Sequence, residues 1–265
     1  MISVVSSGQN KSEKNSGVQW EVVVKNNQVK LSKYQEIFQK FIPSGFYNCT
    51  INGNLCRICG FPKQSNLPGT TCRRKKNHEK LESTDGVFQI GLYYNKKSLD
   101  KITSGDLLSQ HMNNLEANTK FVTPLALAMF EIAKIKYSHL LDADLIIPVP
   151  SFYKDKDDLK KGDVLASELH QFFVKNGKGV KFERCIKKTR KVSVMSLETQ
   201  DKQPEEIVTA IEDAYQISDD IDLTGKKVLL VDDNLTTGLT AGTCAEMLKA
   251  HGAEKVWVFV AARTK

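Results

Sequence analysis

The stretch Lys227-Val228-Leu229-Leu230-Val231-Asp232-Asp233-Asn234-Leu235-Thr236-Thr237-Gly238-Leu239-Thr240 constrains the fold more than any other part of the chain. Four consecutive apolar residues, Val228 to Val231, predict a strand buried on both faces, because a half-exposed strand would alternate. Two acids follow at the strand's C-terminal end, the edge where open α/β sheets bind their ligands. The Thr-rich turn after them runs directly into residues 239–251, whose apolar spacing predicts a helix. A buried strand feeding a helix belongs to a parallel sheet covered by helices.

The rhythm around it agrees. Strands are predicted over residues 87–94, 145–149, 181–186, 215–218 and 256–261. Helices are predicted over residues 104–114 and 164–174, and over a stretch that starts at Thr123 as N-cap and Pro124 as first helical position. The expected architecture for residues 85–265 is therefore α/β, a mostly parallel sheet flanked by helices. Ahead of it, residues 1–16 are rich in Ser, Asn, Lys and Gly and read as a disordered tail. Residues 17–84 read as a small N-terminal module: a hairpin from residues 19–24 and 29–31, a capped helix over residues 32–41, and a cysteine-rich segment.

With 265 residues, 40% of them hydrophobic, the chain can bury one large core or two modest ones. No run approaches 18 apolar residues, which excludes a membrane-spanning helix on sequence grounds. The first residues show no charged start followed by an apolar stretch, so no secretory signal is read and a cytoplasmic location is expected. A net charge of +7 suits a polyanionic partner, either a phosphorylated sugar or a nucleic acid, without choosing between them.

The chemistry of the loop is more specific. Backbone N–H groups and hydroxyls of Thr236, Thr237, Gly238, Leu239 and Thr240 converge on the positive end of the following helix, which suits a phosphate. Gly238 permits the backbone dihedrals such a nest needs. Asp232 and Asp233 stand where they can accept hydrogen bonds from sugar hydroxyls just beyond it. A phosphate donor site beside a diol acceptor site describes ribose 5-phosphate. A P-loop is excluded, since no G-x-x-x-x-G-K-[ST] occurs in the chain. A receiver domain carries its acids near the domain start, whereas this strand is almost the last element.

Cys56-x-x-Cys59 before Gly60 is a zinc-knuckle half site, with two thiolates on one tight turn. Cys72 follows after twelve residues as a third ligand. The fourth is open between Cys49, which gives the simpler four-cysteine site, and His78. A segment so poor in core residues needs a metal to hold its shape, and a closed tetrahedral site is structural. Cys185 and Cys244, in apolar settings, read as core packing.

The loop VLLVDDNLTTGLT resembles the diphosphoribosyl-binding signature of type I phosphoribosyltransferases, enzymes that bind phosphoribosyl pyrophosphate (PRPP). Asp144-Leu145-Ile146-Ile147-Pro148-Val149-Pro150 is similar to the D-x-I-x-P-V-P strand of the competence-protein-F-like (ComF) branch, whose members also carry a cysteine cluster ahead of the transferase domain. The resemblance implies the type I phosphoribosyltransferase fold with a zinc-binding module. It assigns the ribose hydroxyls to Asp232 and Asp233, the catalytic candidates, and the 5-phosphate to Thr236–Thr240. It turns Ser151 and Lys154, after the P-V-P strand, and Lys188 and Arg190, in a basic loop, toward the pyrophosphate. Where the branch usually has R-G-x-N-Q, this chain has Asp157-Asp158-Leu159-Lys160-Lys161, so the resemblance carries binding further than turnover.

The activity so implied is phosphoribosyl transfer from PRPP to an unidentified nitrogen acceptor, with Mg²⁺ bound alongside PRPP and Zn²⁺ in the knuckle. A homodimer is compatible with it and a membrane partner is not expected. The rival is a non-catalytic PRPP- or nucleotide-sensing protein that binds nucleic acid through its basic loops.

Overall fold

The computed structural model describes residues 2–5, 21–24, 56, 58–60, 78–93, 108–109, 112, 122–152, 161–193, 196–197, 200 and 202–264. In chain order the strands are β1 (Ile2–Val5), β2 (Glu21–Val24), β3 (Val87–Tyr93), β4 (Leu145–Pro148), β5 (Lys181–Phe182), β6 (Ile186–Lys188), β7 (Tyr215–Ile217), β8 (Lys227–Leu235) and β9 (Lys255–Thr264). The α-helices are α1 (Val122–Lys136), α2 (Lys161–Lys175), α3 (Pro204–Glu212) and α4 (Leu239–Ala250), and a 3-10 helix spans Glu79–Leu81.

Strands without a polar face belong inside a sheet, and β8 and β9 sit there. The main sheet has the order β3-β9-β8-β4-β5, and every pairing in it is parallel. Leu230 lies opposite Val258 and Ile147, and all three are fully buried. Alternate residues supply two cores. Ile146, Leu229, Val231 and Phe259 pack with α1 and α2 on one face. Ile147, Leu230, Val258 and Val260 pack with α3 and α4 on the other. The α/β expectation is met, with a sheet that is wholly rather than mostly parallel among the described strands.

Its topology fixes where a ligand can bind. β4 leads through α2 to β5 on one side, and β8 leads through α4 to β9 on the other. β4 and β8 are neighbours, so the chain leaves them in opposite directions and opens a crevice at their carboxyl ends.

Several expectations are corrected. Residues 181–186 form two strands, not one. Lys181 and Phe182 pair with β4, while Ile186–Lys188 pairs antiparallel with β7. Between them Arg184 turns aside to Asp163, 3.1 Å away, whose carboxyl burial pushes up. Lys188, expected in a basic loop, therefore belongs to an antiparallel strand pair, a hairpin whose long connection contains α3, and Thr189 N–H extends it by donating to the Ala214 carbonyl. α1 begins at Val122, so Thr123 is no N-cap, and its hydroxyl donates to Glu168 on α2 at 3.0 Å. Ile2–Val5, inside the expected disordered tail, pairs antiparallel with β2, as its β-branched sequence favours. The expected strand over residues 29–31 and helix over residues 32–41 lie outside the described residues, as does most of the 104–114 helix. No helix among the described residues is long and apolar enough to cross a membrane.

Candidate functional site

β8 continues past its apolar core through Asp232, Asp233 and Asn234 to Leu235 because β9 is long enough to pair with all of it. Asn234 secures the end of this ladder by accepting a hydrogen bond from the Thr264 hydroxyl at 2.9 Å. The acids thus sit on strand rather than loop, pointing in alternate directions. Asp232 feels the charge of Lys188 in the β6–β7 hairpin, and Asp233 feels that of Lys161 at the start of α2. Asp233 N–H donates to Asp232 Oδ1 at 2.8 Å.

Both residues are half-buried; Asp232 lines the crevice, whereas Asp233, next along the strand, is not among the lining residues. Burial, and then the negative charge of Asp233, pushes the Asp232 carboxyl well above the ordinary range, against the opposing pull of Lys188. Burial also raises Asp233, against its hydrogen bond with Asp232 and the charge of Lys161. Neighbouring carboxylates in a dry setting attract hydroxyl donors and cations.

After Leu235 the chain turns through Thr236, Thr237 and Gly238 into α4. Gly238 caps the helix with φ of +91°, a left-handed conformation that favours glycine. A Cβ there would also lie 2.7 Å from the side chain of Leu81. Thr237 Oγ1 accepts from Leu239 N–H at 3.3 Å. Leu239 turns its side chain into the core and offers the site only its backbone.

These groups face an open cavity of about 410 Å³ at the carboxyl ends of β4 and β8. Asp232 and the Thr236–Thr240 turn line it on the β8–α4 side, together with Ser151 and Phe152 after β4 and Lys188 and Tyr215 from the β6–β7 pair. Phe152 bridges to Lys188, which joins the two opposing segments. Lys188 Nζ lies 5.1 Å above the Tyr215 ring, and burial lowers its pKa while Cys244 and Asp232 draw it back up. Burial raises the Tyr215 phenol.

Of the pyrophosphate candidates, Ser151 and Lys188 line this cavity. Arg190 does not; it pairs with Asp213 at 3.4 Å on the hairpin's exposed side. Lys154 lies outside the described residues. Sequence reasoning missed Phe152 and Tyr215, whose only local signal was an aromatic residue beside a strand end. It also missed Arg263, a fully buried charge closing an apolar strand. That position was itself a signal, since buried charges must have partners.

Three of the expected knuckle ligands come together as a candidate metal-holding cluster. Cys56, Cys59 and His78 bring their ligand atoms within 4.8 Å of one another. Cys56 Sγ lies 3.4 Å from His78 Nε2. Zn–S of about 2.3 Å and Zn–N of about 2.0–2.1 Å at a tetrahedral angle require a separation of roughly 3.6 Å, so the donors fit this ion. Gly60 N–H closes the turn on the Cys56 carbonyl at 2.8 Å. Cys49 and Cys72 lie outside the described residues. Cys185 and Cys244 are buried in the core, as expected.

Residues 159–265 match the family model of the phosphoribosyl transferase domain. The matched span runs from just ahead of α2 to the end of β9 and contains every residue from Asp232 to Thr240. β3 and β4, which complete the sheet, and α1, which packs on it, precede the matched span. Among solved structures, the phosphoribosylpyrophosphate synthetase from Mycobacterium smegmatis is similar, at 20% identity and a TM-score of 0.33. That match covers 52% of this chain and 33% of the synthetase. No curated protein matches the chain.

Proposed function

We propose that the chain binds PRPP at the carboxyl ends of β4 and β8 and transfers its phosphoribosyl group to a nitrogen acceptor, releasing pyrophosphate. The observation that carries this is one cavity, lined largely by residues of the span matching the phosphoribosyl transferase domain, that joins Asp232 to the Gly238 turn of α4. Backbone N–H groups from Thr236 to Thr240 hold the 5-phosphate at the helix's positive end. Asp232 and Asp233 accept hydrogen bonds from the ribose hydroxyls. Lys188 and Ser151 face the pyrophosphate.

Two adjacent carboxylates, both raised by burial, are a donor set suited to a hard divalent cation, so Mg²⁺ entering with PRPP fits beside them and would neutralise charge on the leaving pyrophosphate. In the transfer, the acceptor nitrogen forms a bond to the anomeric carbon. The bond from that carbon to the pyrophosphate oxygen breaks, and its electron pair leaves with pyrophosphate. The protein's contribution is positioning and charge stabilisation, without a covalent enzyme intermediate.

The knuckle is a structural Zn²⁺ site of Cys56, Cys59, His78 and Cys72. The 3.4 Å approach of His78 to Cys56 favours this set over four cysteines. With the P-V-P strand, it supports a ComF-like reading. Release of pyrophosphate from PRPP across a panel of bases and amines, abolished by Asp233→Ala, tests the transferase. No turnover with any acceptor, together with strongly salt-dependent binding of single-stranded DNA, would favour the nucleic-acid-binding alternative.

A further inference from the structure

Arg263 closes β9 as a fully buried guanidinium in an otherwise apolar strand. A buried charge of this kind persists only with good acceptors. Its Nε donates to the Cys59 carbonyl, in the knuckle, at 3.2 Å. Its Nη1 donates to the carbonyls of Leu235 and Thr236, where β8 turns into the phosphate loop. One rigid planar group therefore holds the backbone of both sites at once.

A second contact runs parallel to it. His78 is followed directly by the 3-10 helix, and Leu81 N–H donates to the His78 carbonyl at 2.8 Å. Leu81 then packs on Gly238, and the Lys80 carbonyl lies so close to Gly242 of α4 that a Cβ there would sit 1.5 Å from it. The His78 segment thus touches the phosphate loop and its helix directly, and the Cys56–Cys59 turn reaches the loop through Arg263. Arg263 does not line the cavity, so its effect on a ligand must pass through Leu235 and Thr236.

We infer that Arg263 is a positioning residue that couples metal occupancy of the Cys56–Cys59–His78 knuckle to the affinity of the Thr236–Thr240 loop for a sugar phosphate. This inference rests on the phosphoribosyl reading of the loop and the zinc reading of the knuckle. Without the ion, the thiolates and imidazole no longer fix the Cys-x-x-Cys turn. The Cys59 carbonyl then ceases to hold Arg263, and the guanidinium no longer fixes Leu235 and Thr236. Coupling of this kind is reciprocal: a sugar phosphate that orders the loop must tighten the metal site by the same factor.

The test uses the full chain, loaded with Zn²⁺ or stripped by a chelator that is then removed, and titrated calorimetrically with ribose 5-phosphate. Stripping is expected to weaken ribose 5-phosphate by roughly tenfold while far-ultraviolet circular dichroism stays unchanged. Saturating ribose 5-phosphate is expected to tighten Zn²⁺ retention, followed with a chromophoric chelator, by the same factor. In Arg263→Lys both ligands still bind, and the factor falls toward one. Should that variant fail to fold, the two titrations of the native chain decide. Equal affinities with and without Zn²⁺ overturn the coupling and leave the phosphoribosyl reading intact. No ribose 5-phosphate binding in either state overturns both.

Discussion

The wall of the cavity formed by β8 and α4 and the wall formed by the loop after β4 and the β6–β7 hairpin face the same ligand but are built differently. The first is made of backbone. Its turn is fixed by the left-handed Gly238, by Leu81 packed against it and by Arg263 beneath it. The second is made of side chains from separate elements, with Ser151, Phe152, Lys188 and Tyr215 converging from positions far apart in the chain. Backbone amides at a helix N-terminus grip a phosphate without rearrangement. On the proposed reading, a wall with Lys188 as its cation among the described lining residues leaves more of the pyrophosphate charge to Mg²⁺. Ribose 5-phosphate recognition should thus be intrinsic to the first wall, and the response to pyrophosphate should depend on the second.

The largest break in this contrast comes from the acids. Asp233→Ala is expected to reduce pyrophosphate release roughly 100-fold to 1,000-fold, measured as initial rates at saturating PRPP. Gly238→Ala forces a side chain into a left-handed conformation and against Leu81. It is expected to lower unfolding free energy by about 1–3 kcal/mol in urea titrations and to weaken ribose 5-phosphate about tenfold. Lys188→Ala separates the walls most cleanly. PRPP should bind about tenfold more weakly while ribose 5-phosphate is unaffected; equal losses for both would erase the distinction.

The smallest effect concerns stability. Both acids have raised pKa values in the folded chain, so over that range the folded state holds more protons than the unfolded one. Their contribution to stability is fullest at low pH and declines as pH rises from the ordinary carboxylate range through the raised values. Asp232→Asn removes the ionisation and is expected to stabilise the unliganded chain by about 0.5–2 kcal/mol at neutral pH, while flattening this decline. Urea midpoints across pH for both proteins measure it, and a variant less stable than the native chain would contradict it.

The contrast between the walls also governs what could be read before the structure. The first wall is one contiguous segment, so its residues, order and chemistry stand side by side in the sequence. The second is assembled by topology, and nothing near Tyr215 or Phe152 announces that they meet Lys188. β8 was expected to end at Val231 because Asp-Asp-Asn is a poor strand sequence. The length of β9 and the Asn234–Thr264 hydrogen bond override that preference. Arg190 resembled Lys188 in sequence, but it lies beyond the end of β6 and pairs with Asp213. The contact that brings His78 to Cys56 joins residues 22 positions apart, which spacing alone could not rank.

Calorimetric titration of the full chain with PRPP in the presence of Mg²⁺ tests the central claim most directly. Saturable binding at one site per chain, removed by Asp233→Ala, is the expected result. A native chain that binds no PRPP under these conditions would contradict it.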